Sequence, residues 1–217
     1  KDYSEEEFNN LKKGQLIMTD MFREFDNICR ANDLKYWCVG GTLIGAVRHE
    51  GWIPHDADID VGMLESDYKK LEKIIQKNLS KDYWFQNRST DKYFTSPLVK
   101  IRYLHGYYKD YKYKNHHNGL QLDIFTYSEK GKFLKPIIHL KPDIKLIEKD
   151  IIFPLKTLKF ENILVYVPNN FKKFLTDFFG GCPPPILPID QQYPHEGRIG
   201  FTIPQWMIKK YPELYKN

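Results

Sequence analysis

Residues 58–61 read Asp-Ile-Asp-Val, and that alternation constrains the fold more than any other stretch of the chain. On an extended strand, side chains two apart share a face, so Asp58 and Asp60 project one way while Ile59 and Val61 project the other. An apolar face of this kind belongs against a core, which makes the segment a strand of a sheet rather than a solvated loop. Two carboxylates held side by side repel each other strongly unless a cation sits between them. Acids on a core strand are unfavourable without a compensating ligand. Hard oxygen ligands suit Mg²⁺ or Mn²⁺, and Mg²⁺ typically enters through one or two carboxylates together with substrate phosphates. Upstream, Val39-Gly40-Gly41-Thr42 supplies a glycine turn that lets backbone approach a phosphate, with Thr42 placed to cap the helix that follows. A lone Asp-x-Asp is more often a solvated loop. The buried alternation and the glycine turn together favour a phosphoryl-transfer site.

Periodicity supplies the frame around this segment. Ser4 and Glu7 form a capping box, and Phe8, Leu11, Met18, Phe22, Phe25 and Cys29 recur at helical spacing, so residues 4–31 are expected as one long amphipathic helix with Gly14 as a weak point. Strands are expected at 35–39, 58–63, 83–86, 98–104, 120–127 and 163–167, and helices at 43–49 and 66–79. A further helix should start after Pro168-Asn169-Asn170, run through Phe179 and stop at Gly180-Gly181. Residues 182–198 carry Pro183-Pro184-Pro185, Pro188 and Pro194, which excludes regular structure and predicts a segment wrapping the surface. A short last helix is expected near 205–211. The fold class is α+β, a single domain over 1–217. Its catalytic core is about 32–180, preceded by the helix 4–31 and followed by the Pro-rich segment 181–217.

Composition excludes several classes. At 217 residues the chain can bury a full core, and 41% hydrophobic with 28% charged residues is ordinary for a globular protein. The 15% aromatic content, with 15 Tyr and 14 Phe, fits a sugar-binding groove but more often fills a core. A net charge of +5 without a dense basic stripe argues against nucleic acid as a partner. The Lys109–Lys114 stretch reads as a charged exposed loop. No apolar run approaches the ~20 residues needed to span a bilayer, and no signal-peptide pattern opens the chain. Cys29, Cys38 and Cys182 lack the pairing of a disulfide scaffold or structural zinc site, and the first two read as core residues.

The motifs Gly40-Gly41-Thr42-Leu43-Ile44-Gly45-Ala46-Val47-Arg48-His49 and Gly51-Trp52-Ile53-Pro54-His55-Asp56-Ala57-Asp58-Ile59-Asp60-Val61-Gly62-Met63 resemble the signature of the LicD/fukutin family. Thinner matches follow at Leu122-Asp123-Ile124-Phe125, Phe153-Pro154-Leu155-Lys156 and Val167-Pro168-Asn169-Asn170. The resemblance implies a nucleotidyltransferase-like mixed sheet flanked by helices, similar to DNA polymerase β-type enzymes. It also implies transfer of a phosphorylated alcohol, such as phosphocholine or ribitol phosphate, from a CDP-linked donor to a carbohydrate acceptor.

Within that resemblance Asp123 is the expected third carboxylate, since Gln121 and Asp123 share one face of a strand whose other face carries Leu122 and Ile124. Asp143 and Asp150 are weaker alternatives in charged, helix-like surroundings. One cation would be held by Asp58, Asp60 and Asp123 beside the acceptor hydroxyl, and a second by Asp58 and Asp60 beside the donor diphosphate. Asp123 is the expected local proton acceptor. Gly40, Gly41, Thr42, Arg48, His55, Asp56, Lys100 and Lys156 are the candidate donor-binding residues, Arg48 through its planar fork. His55 and Ala57 depart from the bacterial members of the family, which leaves the donor open more than the activity. His116 and His117 lack partners at zinc spacing and read as part of a polar loop.

Two other readings use the same acids: a nucleotidyltransferase that passes NMP to a small molecule or protein, and a silent scaffold that keeps only the fold. The compartment is left open between the cytoplasm and, for a chain that has lost an N-terminal anchor, the Golgi lumen.

Overall fold

A capping box opens the longest helix. In the computed structural model, which describes residues 3–111, 115–137 and 145–216, the Ser4 hydroxyl accepts from the Glu7 N–H while the Glu7 carboxylate accepts from the Ser4 N–H. That reciprocal pair serves N–H groups that a helix start leaves without intrahelical partners. The helix, α1 (Glu5–Ala31), buries Leu11, Met18, Phe22, Phe25 and Cys29 as its periodicity predicts, whereas Phe8 stays half exposed. The helix is continuous through Gly14, where a Cβ would lie 2.5 Å from the Ile199 side-chain tip, so the Ile199 side chain packs closely against the helix there.

After α1 come β1 (Tyr36–Cys38), α2 (Gly40–His49), β2 (Ile59–Leu64), α3 (Glu65–Asn78), β3 (Tyr83–Gln86) and β4 (Val99–Tyr103). Then follow β5 (Tyr107–Tyr108), β6 (Leu120–Lys130), β7 (Phe133–Pro136), β8 (Ile147–Glu148) and α4 (Lys149–Ile152). The hairpin β9 (Lys156–Phe160) and β10 (Ile163–Val167), α5 (Phe171–Phe179), β11 (Ile199–Gly200) and α6 (Gln205–Lys210) complete the chain. The α5 boundaries are those expected from sequence: the Asn170 side chain caps its start and Gly180, at φ 79°, stops it.

The main sheet runs β1-β2-β6-β4-β3, with β7 and β8 continuing from the far end of β6. β2 and β6 are parallel and the other pairings antiparallel, so the sheet is mixed and the α+β class holds. Leu122 and Ile124 on β6 and Ile59 and Val61 on β2 are buried in the core. Phe22, Phe25, Tyr36 and Phe160 meet there edge to face or tilted, with ring centroids 5.1–6.4 Å apart. Much of the aromatic content therefore fills the core. Among the described residues no helix is long and apolar enough to cross a membrane.

Sequence reasoning missed β5, β7, β8, β9, β11 and α4. Five of these are two to four residues long, too short to show a period. β9 reads Lys-Thr-Leu-Lys-Phe and is largely exposed, so it lacks the apolar alternation of a half-buried strand.

The His116-His117 loop is not a polar surface loop. Both imidazoles are fully buried. His117 Nδ1 accepts from the Gly119 N–H, its Nε2 lies 2.6 Å from the Tyr215 hydroxyl, and Tyr211 packs against its ring edge-on. The covering rings come from nearly a hundred residues downstream, which no local pattern announces. Burial holds His117 well below its ordinary 6.5, followed by the charges of Arg102 and His116. Below about pH 6.5 the unfolded chain therefore binds a proton that the folded chain refuses, so this group makes stability fall as pH falls. The stability advantage of the wild type over His117→Gln is expected to shrink by up to about 1.4 kcal/mol per pH unit below pH ~6.5. Urea unfolding of both proteins between pH 7 and 5 measures this, and a gap independent of pH would contradict it.

Candidate active site

Strand register brings the acids together. Asp60 on β2 is paired with Asp123 on β6, and Asp123 is paired on its other side with Lys100 on β4. Asp58 lies two residues before Asp60 and keeps the same face. One carboxylate oxygen from each of Asp58, Asp60 and Asp123 lies within 4.8 Å of the others. Asp56, Asp58 and Glu196 form a second group of the same span, with Asp58 common to both.

The electrostatics follow from crowding five carboxylates into a buried space. Burial, then the charge of Asp60, pushes the Asp58 carboxyl well above the usual range. Burial, then Asp123, does the same to Asp60. Asp56 is pushed up to about 7 by burial and by Glu196, and burial also raises Glu196. Two donors oppose the accumulated charge. The Lys100 ammonium sits 2.6 Å from both oxygens of Asp123, with both side chains buried. The Gln121 amide donates to Asp58 Oδ2 at 3.1 Å and to Asp123 Oδ2 at 3.4 Å.

The glycine turn does a different job from the one expected. α2 starts at Gly40, with Val39 at the cap position and no side-chain cap. Thr42 is therefore inside the helix and not its cap; its buried hydroxyl accepts from the Asp60 N–H at 2.8 Å and so fixes β2 against α2. The helix begins early because Gly40 turns the chain at φ +52°. A Cβ on Gly40 would stand 2.6 Å from Asp60 Oδ2, and one on Gly41 would overlap the Asp56 carboxylate. Both glycines hold room for carboxylates.

Above the acids opens a cleft of about 1240 Å³. Gly41, Arg48, His55, Asp56 and Lys100 line it, as do Asp58, Asp60 and Asp123. Arg48 reaches across to the Pro184 carbonyl at 3.3 Å. Lys156 lies elsewhere, exposed on β9. Asp150 is exposed on α4, and Asp143 lies outside the described residues. Lys112–Lys114 also lie outside them; of that stretch Lys109 and Asp110 are exposed as expected, whereas Tyr111 is buried and lines the cleft.

Sequence reasoning missed the contribution of the Pro-rich segment. Pro184, Pro185, Ile186, Leu187, His195 and Glu196 line the cleft, so the cleft extends past residue 180. Arg198 ties the end of this segment down, bonding Asp110 at 2.7 Å and Glu7 at 2.8 Å. The available signal was a His-Glu pair within a proline-rich run that has no other use for it.

An α+β protein with an acid-floored cleft at the seam of its two parallel strands is the class that fold and site define. The chain belongs to the LicD/FKTN/FKRP family, whose nucleotidyltransferase domain matches residues 33–170, well over half of its length. An uncharacterised protein of Rickettsia typhi is 27% identical over 191 residues, covering 84% of this chain and 47% of its own length. Ribitol 5-phosphate transferase FKRP of Homo sapiens is 25% identical over 177 residues, covering 81% of this chain and 32% of its own. Lipopolysaccharide cholinephosphotransferase LicD of Haemophilus influenzae is 38% identical over 76 residues, 35% of this chain and 25% of its own. The chain thus spans about half the length of the rickettsial relative and less of the other two.

Proposed function

We propose that this chain transfers a phosphorylated alcohol, of the phosphocholine or ribitol phosphate type, from a CDP-linked donor to a glycan hydroxyl. The observation that carries the reading is the pair of carboxylate groups hinged on Asp58 within one cleft. The transferase names of two relatives add support.

The donor set fits Mg²⁺ or Mn²⁺. It offers carboxylate oxygens only, and burial together with mutual repulsion makes it unfavourable without a cation. Asp58, Asp60 and Asp123 would hold one ion, and Asp56, Asp58 and Glu196 are the residues for a second. When bound, such ions neutralise diphosphate charge and lower the pKa of an acceptor hydroxyl.

The chain's own groups do the rest. Arg48 lines the cleft, and its planar fork suits a donor phosphate. Pro184, Pro185, Ile186 and Leu187 give the cleft an apolar wall. The acceptor oxygen attacks the phosphorus of the alcohol phosphate, the bond from that phosphorus to the bridging oxygen breaks, and CMP leaves. Asp123 can take the acceptor's proton only after Lys100 withdraws from its two oxygens. Orientation and charge neutralisation supply most of the rate in chemistry of this kind.

Calorimetric titration of CDP-choline, CDP-ribitol and CTP, with and without Mg²⁺, tests the reading. One CDP-alcohol is expected to bind in a Mg²⁺-dependent way that Asp58→Asn abolishes. Binding of CTP alone would favour nucleotidyl transfer, and no cation-dependent binding would favour the silent scaffold.

A further inference from the structure

Arg102, in mid-β4, is fully buried, and among the described residues no carboxylate lies within ion-pair distance of it. A charge without a counter-charge is costly to bury and needs its donors filled by fixed acceptors. Here Nε donates to Gln86 Oε1 at 2.7 Å, while Nη1 donates to the Gly119 carbonyl at 2.7 Å and to Gln121 Oε1 at 2.6 Å. Nη2 donates to the Tyr111 hydroxyl at 3.4 Å.

The bond to Gln121 has a directional consequence. A guanidinium has donors and no acceptor, so it takes only the oxygen end of an amide. That leaves the amide nitrogen of Gln121 pointing the opposite way, where it bridges Asp58 and Asp123, acids from two different chain segments. We propose that Arg102 and Gln121 form a positioning pair that orients the Asp58 and Asp123 carboxylates for a divalent cation. The inference rests on the reading that these acids bind one. Arg102 reaches the acids only through Gln121, and Gln121 touches their carboxylates; the pair acts by holding one oxygen of each acid in place, so that the carboxylates do not rotate apart under their mutual repulsion. Outer partners of this kind typically change metal affinity or activity by about 10–100-fold.

Mn²⁺ binding, followed by electron paramagnetic resonance of the unbound ion, tests the proposal without reference to turnover. Gln121→Met keeps the length of the side chain and removes both amide ends. It is expected to weaken Mn²⁺ binding by about tenfold or more, while thermal melting stays cooperative. Arg102→Lys keeps the charge but not the fork, so the amide loses its fixed orientation and binding is expected to weaken by a smaller factor. A Gln121→Met protein that binds Mn²⁺ within twofold of wild type overturns the proposal, and so does an Arg102→Lys protein with unchanged affinity should Gln121→Met fail to fold. Failure of the wild type to bind Mn²⁺ would overturn the cation reading as well. Binding that is lost in Asp58→Asn and intact in Gln121→Met overturns the positioning role alone.

Discussion

Asp58→Asn is expected to remove transferase activity and, in the same protein, to raise the melting temperature when divalent cations are absent. The loss of activity should reach roughly three orders of magnitude, since residues that act as a unit fail together when one is removed. The gain in stability follows from the raised pKa. Asp58 is buried and faces Asp60, Glu196, Asp56 and Asp123. An acid whose folded pKa lies above its unfolded value loses stability as pH rises from about 3.8 towards the folded value, because the unfolded chain releases the proton freely while the folded chain does not. Asn carries no such cost and can accept the Gln121 donor through its own carbonyl. A gain on the order of 0.5–2 kcal/mol is expected at neutral pH, the range of ordinary trade-offs between site and stability. For a domain of this size that is roughly 1–8 °C. Melting in EDTA at pH 5 and at pH 7.5 should show the larger gain at the higher pH. A variant that melts at or below the wild type under both conditions would contradict the argument.

The opposite outcome is expected one strand away. Lys100→Met leaves Asp123 buried beside Asp60 without the ammonium that both its oxygens accept from. Breaking a buried pair by deleting one partner costs about 3–5 kcal/mol, because the remaining charge is stranded. The expected fall in melting temperature is roughly 6–20 °C. Two controls separate this from lost packing. Added Mg²⁺ or Mn²⁺ should restore stability to Lys100→Met by more than it adds to the wild type, since a cation can replace the missing charge. The double variant Lys100→Met/Asp123→Leu should recover much of the loss, since replacing a buried ion pair with apolar groups is often neutral. If neither control raises the melting temperature, the cost lies in packing and not in the stranded acid.

The two variants mark how far the sequence could be read. Asp58, Asp60 and Asp123 were legible because strand alternation states on which face each lies, and that face needs a reason to be acidic. Lys100 was legible for the same reason, being polar on a strand between Val99 and Ile101. Its partner was not, since pairing across β4 and β6 is a matter of register that neither strand states alone. Glu196 was hidden more deeply. It comes from a proline-rich run without periodicity, and its arrival beside Asp58 depends on the path of that run and on the Arg198 anchor. Thr42 failed for a local reason: glycine at a left-handed angle let the helix begin three residues early, converting an expected cap into a strand support. Arg102 and Gln121 carry no motif, and their significance is a property of amide direction that appears only when the acceptors are in place.

The in-register pairing of Asp60 with Asp123 bears on how such chains can diverge. Insertions in the loops between β2 and β6 leave this register alone, but β4 lies in the same stretch and its register sets Lys100 opposite Asp123, so only the loops are open to drift. A single-residue insertion or deletion inside either strand would turn one acid towards Ile124 or Leu122 and erase the cluster in one step. Lineages of this fold should accordingly record their history in loop lengths, with the two strands inherited as indivisible blocks.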